Sequence, residues 1–156
     1  MKKRTAFIGA ILSLIPLGQP LIIKTGVVLS TTGLMLAVSE NVYARNSAFF
    51  YNRGSDKAKK GDHDGAISDF TRAIEIDPQN DDAFYNRGNS KAELEDYYGA
   101  ISDYTKAIEI RPADDAYYNR GKAKSDLKDY KGSILDYSKA IEINPQYADA
   151  YNNRGY

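Results

Sequence analysis

The sequence predicts an all-α fold, an α-solenoid of stacked helix pairs, on three observations. One stretch of sequence occurs three times, at residues 50–78, 84–112 and 117–145. A glycine takes the same place in each copy and once more near the end of the chain, at Gly54, Gly88, Gly121 and Gly155, with spacings of 34, 33 and 34 residues. A period of this length is typical of repeat proteins in which every unit packs on its neighbours. Because apolar residues within each copy recur at intervals of three and four, they share one face of a helix, and we expect three complete repeats and a partial fourth behind an apolar N-terminal segment.

Residues 1–44 differ in composition from the rest of the chain. A basic start at residues 2–4 precedes a mostly apolar stretch at residues 5–38, which Lys24 interrupts, and the sequence Val-Tyr-Ala at 42–44 resembles a small-residue processing site. This order is typical of a secretory signal, although such signals usually run to about 15–30 residues. The first part of the apolar stretch is long enough to span a bilayer, so a retained membrane anchor and a buried soluble extension are the alternatives. A signal or an anchor would place the repeats outside the cytoplasm, in a periplasm or an equivalent lumen, because basic residues stay on the cytoplasmic side.

The repeat domain is predicted to cover residues 45–156. Counted from Ser47 as position 1, its units are residues 47–80, 81–113, 114–147 and the partial unit 148–156. We expect two helices in each complete unit. The second unit is one residue shorter than the others, and the missing residue falls in the turn after Pro112, where a loop can absorb the change.

The ends of the second helix of each repeat carry recognisable signals. An aspartate precedes it, where a carboxylate can accept a hydrogen bond from a free backbone N–H of the first turn; these residues are Asp62, Asp96 and Asp129. A proline follows its end, where the helix cannot continue. The glycine inside the first helix costs about 0.5–1 kcal/mol relative to alanine, so we expect it to mark a close approach of the two helices, opposite Ala66, Ala100 and Ser133.

The chain resembles the tetratricopeptide repeat family, in a variant with Tyr-Asn-Arg-Gly that is similar to bacterial arrays. The family pattern combines an aromatic residue, a glycine, an alanine, a second aromatic residue, a second alanine and a proline. The first repeat has Gly54, Ala66 and Pro78 at the structural positions of this pattern, the second Gly88, Ala100 and Pro112, and the third Gly121, Ser133 and Pro145. Ser133 replaces the usual alanine. The resemblance implies a concave face lined by the first helices, which binds peptides or protein partners.

Arginine stands where this family usually has leucine, and an aspartate accompanies it sixteen residues later in every complete repeat. The pairs are Arg53 with Asp69, Arg87 with Asp103, and Arg120 with Asp136. The arginines could form a ladder for anionic ligands. We favour an ion pair that bridges the two helices of one repeat, because a buried arginine without a partner would be costly.

The resemblance also implies a set of candidate peptide-binding residues on the first helices. They are Tyr51, Asn52 and Ser55 in the first repeat, Tyr85, Asn86 and Asn89 in the second, and Tyr118, Asn119 and Lys122 in the third. The asparagines could bind a ligand backbone or could contact the adjacent repeat, and the tyrosines could face the groove or pack between helices. The two-carboxylate clamp of some family members is not expected, because only Asn86 matches it and aspartates such as Asp115 would repel a carboxylate.

Composition excludes several function classes. The chain has no cysteine and one histidine, His63, so thiol chemistry and a histidine-rich metal site are excluded. Residues after Ala44 include 17 Lys and Arg against 20 Asp and Glu, which disfavours a nucleic-acid surface. His63 with Asp62 and Asp64 could hold a metal weakly, but this is a generic exposed turn. We therefore expect no catalytic residues, no enzyme activity, no metal and no cofactor.

The most favoured function is a protein-interaction module that presents its groove to a peptide or partner chain outside the cytoplasm. The alternative is a membrane-held structural scaffold, or a self-assembling array in which another chain completes the partial repeat at 148–156. The sequence names no partner.

Overall fold

The computed structural model describes residues 32–155, and side chains from residue 46 onward. Its contacts divide the chain into two units, Met1–Ser39 and Glu40–Tyr156, and the second unit holds the repeats. The predicted signal or anchor at residues 1–44 lies outside the described residues, apart from the backbone at the start of the first helix. None of the described helices has the length and apolar character that crossing a membrane requires.

The described part of the chain forms seven helices that pair in sequence order. They are α1 Thr32–Lys59, α2 His63–Ile76, α3 Asp81–Glu93, α4 Tyr97–Ile110, α5 Asp114–Asp126, α6 Tyr130–Ile143 and α7 Ala148–Arg154. From α2 onward each helix packs on the next, and α3 also contacts α5 across the repeat boundary. The fold is therefore the predicted all-α solenoid, with the first helices α3 and α5 side by side.

The helix α1 is longer than a single repeat requires. It begins at Thr32 and runs without a break past Ala44 to Lys59. No proline or glycine occurs between Leu34 and Arg53, so nothing in this segment interrupts the helix. The predicted processing site after Ala44 thus lies within a helix.

The predicted caps of the second helices are confirmed. Oδ1 of the capping aspartate accepts a hydrogen bond from a glycine N–H three residues on, at 2.9 Å for Asp62 and 3.0 Å for Asp96 and Asp129. A Cβ on the middle one of these glycines, Gly99, would lie 2.1 Å from Oδ2 of Asp96. Glycine at this position therefore leaves room for the carboxylate as it is placed here, and a larger residue would require the aspartate to shift, a relation that the sequence analysis missed.

The helix α5 begins without a side-chain cap. Oδ1 of Asn80 accepts a hydrogen bond from Ala83 N at 2.9 Å and caps α3. The equivalent residue before α5 is Ala113, which has extended backbone and no side chain that can accept. The loop absorbs the missing residue, and α7, which follows a full-length repeat, also begins without a side-chain cap.

The recurrent glycine of the first helix makes room for an aromatic ring. A Cβ on Gly88 would lie 2.8 Å from the ring of Tyr104, and one on Gly121 would lie 2.9 Å from the ring of Tyr137. The close approach is as predicted, but for Gly88 the nearest atoms belong to Tyr104 rather than to Ala100. Gly54 meets the ring of Phe70 in the same way.

Candidate peptide-binding groove

An ion pair between an arginine and a buried aspartate joins the two helices of each complete repeat. Nε and Nη2 of Arg87 donate to the two carboxylate oxygens of Asp103 at 2.8 and 2.7 Å. Arg120 contacts Asp136 in the same two-pronged way at 2.9 and 2.7 Å, and Arg53 pairs with Asp69. The aspartates are buried. The structure thus shows the bridging pair that the sequence analysis favoured.

A lysine completes each pair from one turn further along the first helix. Nζ of Lys91 lies 2.7 Å from Oδ2 of Asp103, and the equivalent lysines Lys57 and Lys124 lie 2.9 and 2.7 Å from their aspartates. We call each Arg–Asp–Lys set a clamp. The sequence analysis missed the lysine, although its recurrence at one repeat position was a signal. The hydrogen bond from Arg53 and the charge of Lys57 hold the pKa of Asp69 below its usual range.

The clamps of the second and third repeats also form a hydrogen bond to the preceding repeat. Nη1 of Arg87 donates to Oγ1 of Thr71 at 3.0 Å, and Nη1 of Arg120 donates to Oγ1 of Thr105 at 3.1 Å. These guanidinium groups are therefore engaged within the protein. A ladder of free arginines for anionic ligands does not fit this geometry.

The first helices α3 and α5 line a groove with two clefts. One cleft lies between Asp82, Tyr85, Arg111 and Asp115. The other has a volume of about 650 Å³ and is lined by residues of α3 and α5 together with Tyr97 and Tyr104. The second cleft brings together three predicted site residues, Asn89, Asn119 and Lys122.

Tyrosines and asparagines of the predicted site bridge successive repeats along the groove. Nδ2 of Asn86 donates to Oη of Tyr51 at 3.1 Å. Nδ2 of Asn119 donates to Oη of Tyr85 at 2.8 Å, and Asn153 of the partial repeat donates to Tyr118 at 2.8 Å. We call these contacts the Tyr–Asn bridges. Each asparagine thus contacts the adjacent repeat, as one of the two predicted alternatives requires, while Asn119 also lines the groove.

Asn89 is held at the centre of this network. Its Oδ1 accepts a hydrogen bond from Oη of Tyr104 at 2.8 Å and another from Nδ2 of Asn119 at 3.2 Å. Tyr104 is almost fully buried, and this burial raises the pKa of its hydroxyl. Burial also raises the pKa of Tyr85, so these two hydroxyl groups keep their hydrogen atoms.

The remaining predicted site residues are not part of the bridges. Ser55 donates to the carbonyl oxygen of Tyr51 at 3.0 Å within its own helix. Asn52 is exposed on α1, and Lys122 is exposed in the larger cleft.

Charge along the groove is mainly negative. Asp82, Glu93, Asp115 and Asp126 are exposed and line the clefts. Arg111 bridges Asp81 and Asp82 at 2.5 and 2.8 Å. The equivalent residues of the other repeats are Asp77 and Asn144. Because an arginine occurs at this position in one repeat alone, no recurrence marked it, and the sequence analysis missed it.

Tyr147, which precedes the partial repeat, contacts Asp115 and Tyr118 of α5. Its Oη donates to Oδ1 of Asp115 at 2.8 Å. Its ring lies 4.9 Å from that of Tyr118, centroid to centroid. Burial and the hydrogen bond to Asp115 raise the pKa of this hydroxyl.

Comparison with known proteins matches the repeats to family models and to solved structures. A model described as TPR repeat matches residues 54–94, and one described as Tetratricopeptide repeat matches residues 81–114 and 115–147. Together they cover more than half of the 156 residues. No curated protein sequence matches the chain significantly.

Three solved structures illustrate the similarity. The first TPR of Spaghetti (RPAP3), bound to the HSP90 peptide SRMEEVD, is 26% identical with a TM-score of 0.70, and the match spans 72% of this chain and 90% of that one. The Arabidopsis OM64 TPR domain is 27% identical with a TM-score of 0.70, over 72% of this chain and 94% of that one. The MamA protein is 28% identical with a TM-score of 0.67, over 70% of this chain and 61% of that one.

Proposed function

The chain belongs to the tetratricopeptide repeat family, whose domains are protein–protein interaction modules, and we propose that its groove binds a peptide segment of a partner protein. The observation that carries this proposal is the groove between α3 and α5, where exposed carboxylates flank neutral tyrosines and asparagines. Tyrosine offers apolar area with a polar tip, and asparagine can pair with a peptide backbone of any sequence.

The charge of the groove favours a basic segment. The similar Spaghetti domain is described with the peptide SRMEEVD, which carries acidic residues near its end. Here Asp115 and Asp126 are exposed on α5, and Glu93 of α3 lines the same cleft as Asp126. Like charges across an interface suppress binding, whereas opposite charges speed association and favour one partner over another. The partner segment is therefore expected to be rich in lysine or arginine.

A selection from a random-peptide display library tests this proposal on the full chain. Peptides enriched on the wild-type chain should be basic, and Asp115→Asn with Asp126→Asn should abolish that enrichment. The matched control, Glu109→Gln with Glu142→Gln, removes two charges from exposed ion pairs on the second helices and should keep it. Selection of the same peptides by the groove variant would contradict the proposal.

The proposal extends to location outside the cytoplasm, supported by the basic start, the apolar stretch and the sequence at 42–44, which resembles a processing site. Mass spectrometry of protein from its native cell should find either Arg45 as the first residue or the intact chain in membranes. Full-length protein in the soluble cytoplasmic fraction would contradict it. Self-association, the alternative, stays a prediction that a concentration-dependent mass in solution would favour.

A further inference from the structure

The larger cleft between α3 and α5, about 650 Å³ in volume, combines small apolar residues with tyrosines in its lining. Ala92 and Ala123 are the small residues, and Tyr97 and Tyr104 are the tyrosines. Tyr104 is almost fully buried, and its Oη donates its hydrogen to Oδ1 of Asn89 at 2.8 Å. A tyrosine hydroxyl has a single hydrogen, so Tyr104 can only accept from a ligand. The lining therefore suits an alkyl chain with a hydrogen-bond donor at its end.

Three exposed carboxylates give this cleft its charge. Glu93 and Glu95 line it from the second repeat, and Asp126 lines it from the third. Among the described residues of the lining, Lys122 is the one cation. Desolvation raises the pKa of the Tyr97 hydroxyl, and the three carboxylate charges raise it further. Negative charge thus acts beside an aromatic ring, and both attract a cation.

The corresponding place between the first and second repeats lacks this excess of negative charge. By repeat position, the residues equivalent to Glu93, Glu95 and Asp126 are Lys59, Gly61 and Glu93. One cation and one carboxylate thus take the place of three carboxylates. A cationic group is therefore favoured at one place along the groove, between the second and third repeats.

We propose that the larger cleft is a pocket for one basic side chain of the bound segment, a lysine or an arginine, and that this pocket fixes where the segment lies along the groove. The inference rests on the proposed function and deepens it. The alkyl part of the side chain contacts the alanines and Tyr97, and its charged end is bound by Glu93, Glu95 and Asp126. The amide group of Asn89 can donate as well, so the charge of the pocket, and not a lack of donors, determines its preference.

Glu95 allows a test that leaves the fold intact. Its φ is 62°, and at the same turn position of the other repeats Gly61 and Lys128 have φ of 80° and 65°. Glycine adopts such angles without steric cost. Glu95→Gly and Lys128→Gly should therefore both melt close to the wild-type temperature.

Titration of the full chain with an end-blocked peptide of alternating lysine and alanine, the Lys-Ala peptide, measures the effect on binding. Glu95→Gly removes a charge of the pocket and should weaken binding about fivefold. Lys128→Gly, the matched control outside the cleft, should bind no more weakly than the wild type. Equal affinity of the wild type and of Glu95→Gly would overturn the inference.

Lys122 provides a change of opposite sign. Lys122→Gln removes the cation of the lining and should tighten binding of the Lys-Ala peptide about twofold to fivefold. Glu93→Gln with Asp126→Asn should weaken it at least about tenfold. General disturbance of the fold would weaken binding in every variant, so weaker binding by Lys122→Gln would overturn the inference.

The same peptide with every lysine acetylated separates this inference from the function on which it rests. Acetylation removes the charges, and wild-type affinity should fall at least about tenfold. If the wild type binds neither peptide, the proposed function falls together with the inference. If it binds both equally well, or if the cleft variants bind the Lys-Ala peptide like the wild type, peptide binding stands and the pocket is overturned.

Discussion

The clamps inside the repeats and the Tyr–Asn bridges between them use polar side chains in opposite ways. In a clamp, the buried carboxylate of Asp103 has both oxygens occupied by Arg87 and Lys91. In a bridge, Asn119 donates to Tyr85 and Asn89 while its side chain also lines the groove. A fully paired buried network holds the fold, whereas side chains that line an open cleft are accessible to a ligand. Under the proposed function, the groove is the recognition surface and the clamps are its support.

The largest expected effect on stability follows from breaking the clamp of the second repeat. Asp103→Ala leaves Arg87 and Lys91, whose side chains are only 16% and 20% exposed, without their carboxylate. Loss of one partner from a buried pair costs about 3–5 kcal/mol. The free energy of unfolding by urea should fall by this amount.

The clamp of the first repeat provides the matched control for that variant. Arg53 and Lys57 are 46% and 34% exposed, so water can solvate them once the carboxylate is gone. Asp69→Ala should therefore cost clearly less than Asp103→Ala. Equal losses would show that burial does not determine the strength of the clamps.

The packing under the groove gives the next largest effect. In Gly88→Ala the new Cβ would lie 2.8 Å from the buried ring of Tyr104, and overpacking of this kind costs about 1–3 kcal/mol. The melting temperature should fall. Gly155→Ala is the control, since its Cβ would meet nothing closer than 3.5 Å and should leave melting nearly unchanged.

A smaller effect, a gain in stability, is expected from a substitution at the start of α5. Ala113 precedes α5 with φ −136° and ψ 142° and provides no side-chain cap. Ala113→Asp should add one and raise the free energy of unfolding by about 1 kcal/mol. Asn80→Ala, which removes the existing cap of α3, should lower it by a similar amount; no gain at Ala113 would mean that the shortened turn prevents capping.

The bridges should show the smallest effect on stability. Asn86→Ala with Asn119→Ala removes hydrogen bonds at an accessible groove where water can replace them, so the free energy of unfolding should fall by less than about 1 kcal/mol in total. Melting should stay close to wild type while binding of basic peptides is lost. Unfolding of this variant would instead assign the asparagines to the support of the fold.

Contacts within one repeat were predicted from the sequence more completely than contacts between two repeats. The aspartate caps and the Arg–Asp pairs were predicted, because helix-end chemistry and the recurrence of both partners were visible. Lys91 was missed, since a lysine on a helix usually indicates a solvated face. The partner of Asn119 could not be chosen from sequence, because Tyr85 lies 34 residues away and only the stacking of repeats brings it close.

The central claim, that recognition belongs to the groove and support to the clamps, is tested most directly by nuclear magnetic resonance of the isotope-labelled full chain. During titration with a basic peptide of alternating lysine and alanine, blocked at both ends, the account predicts shifts for α3 and α5 amides and for the side-chain amides of Asn89 and Asn119. Resonances around Glu109 on α4 and Glu142 on α6 should stay in place. Shifts confined to α4 and α6, with the groove asparagines unmoved, would contradict the account.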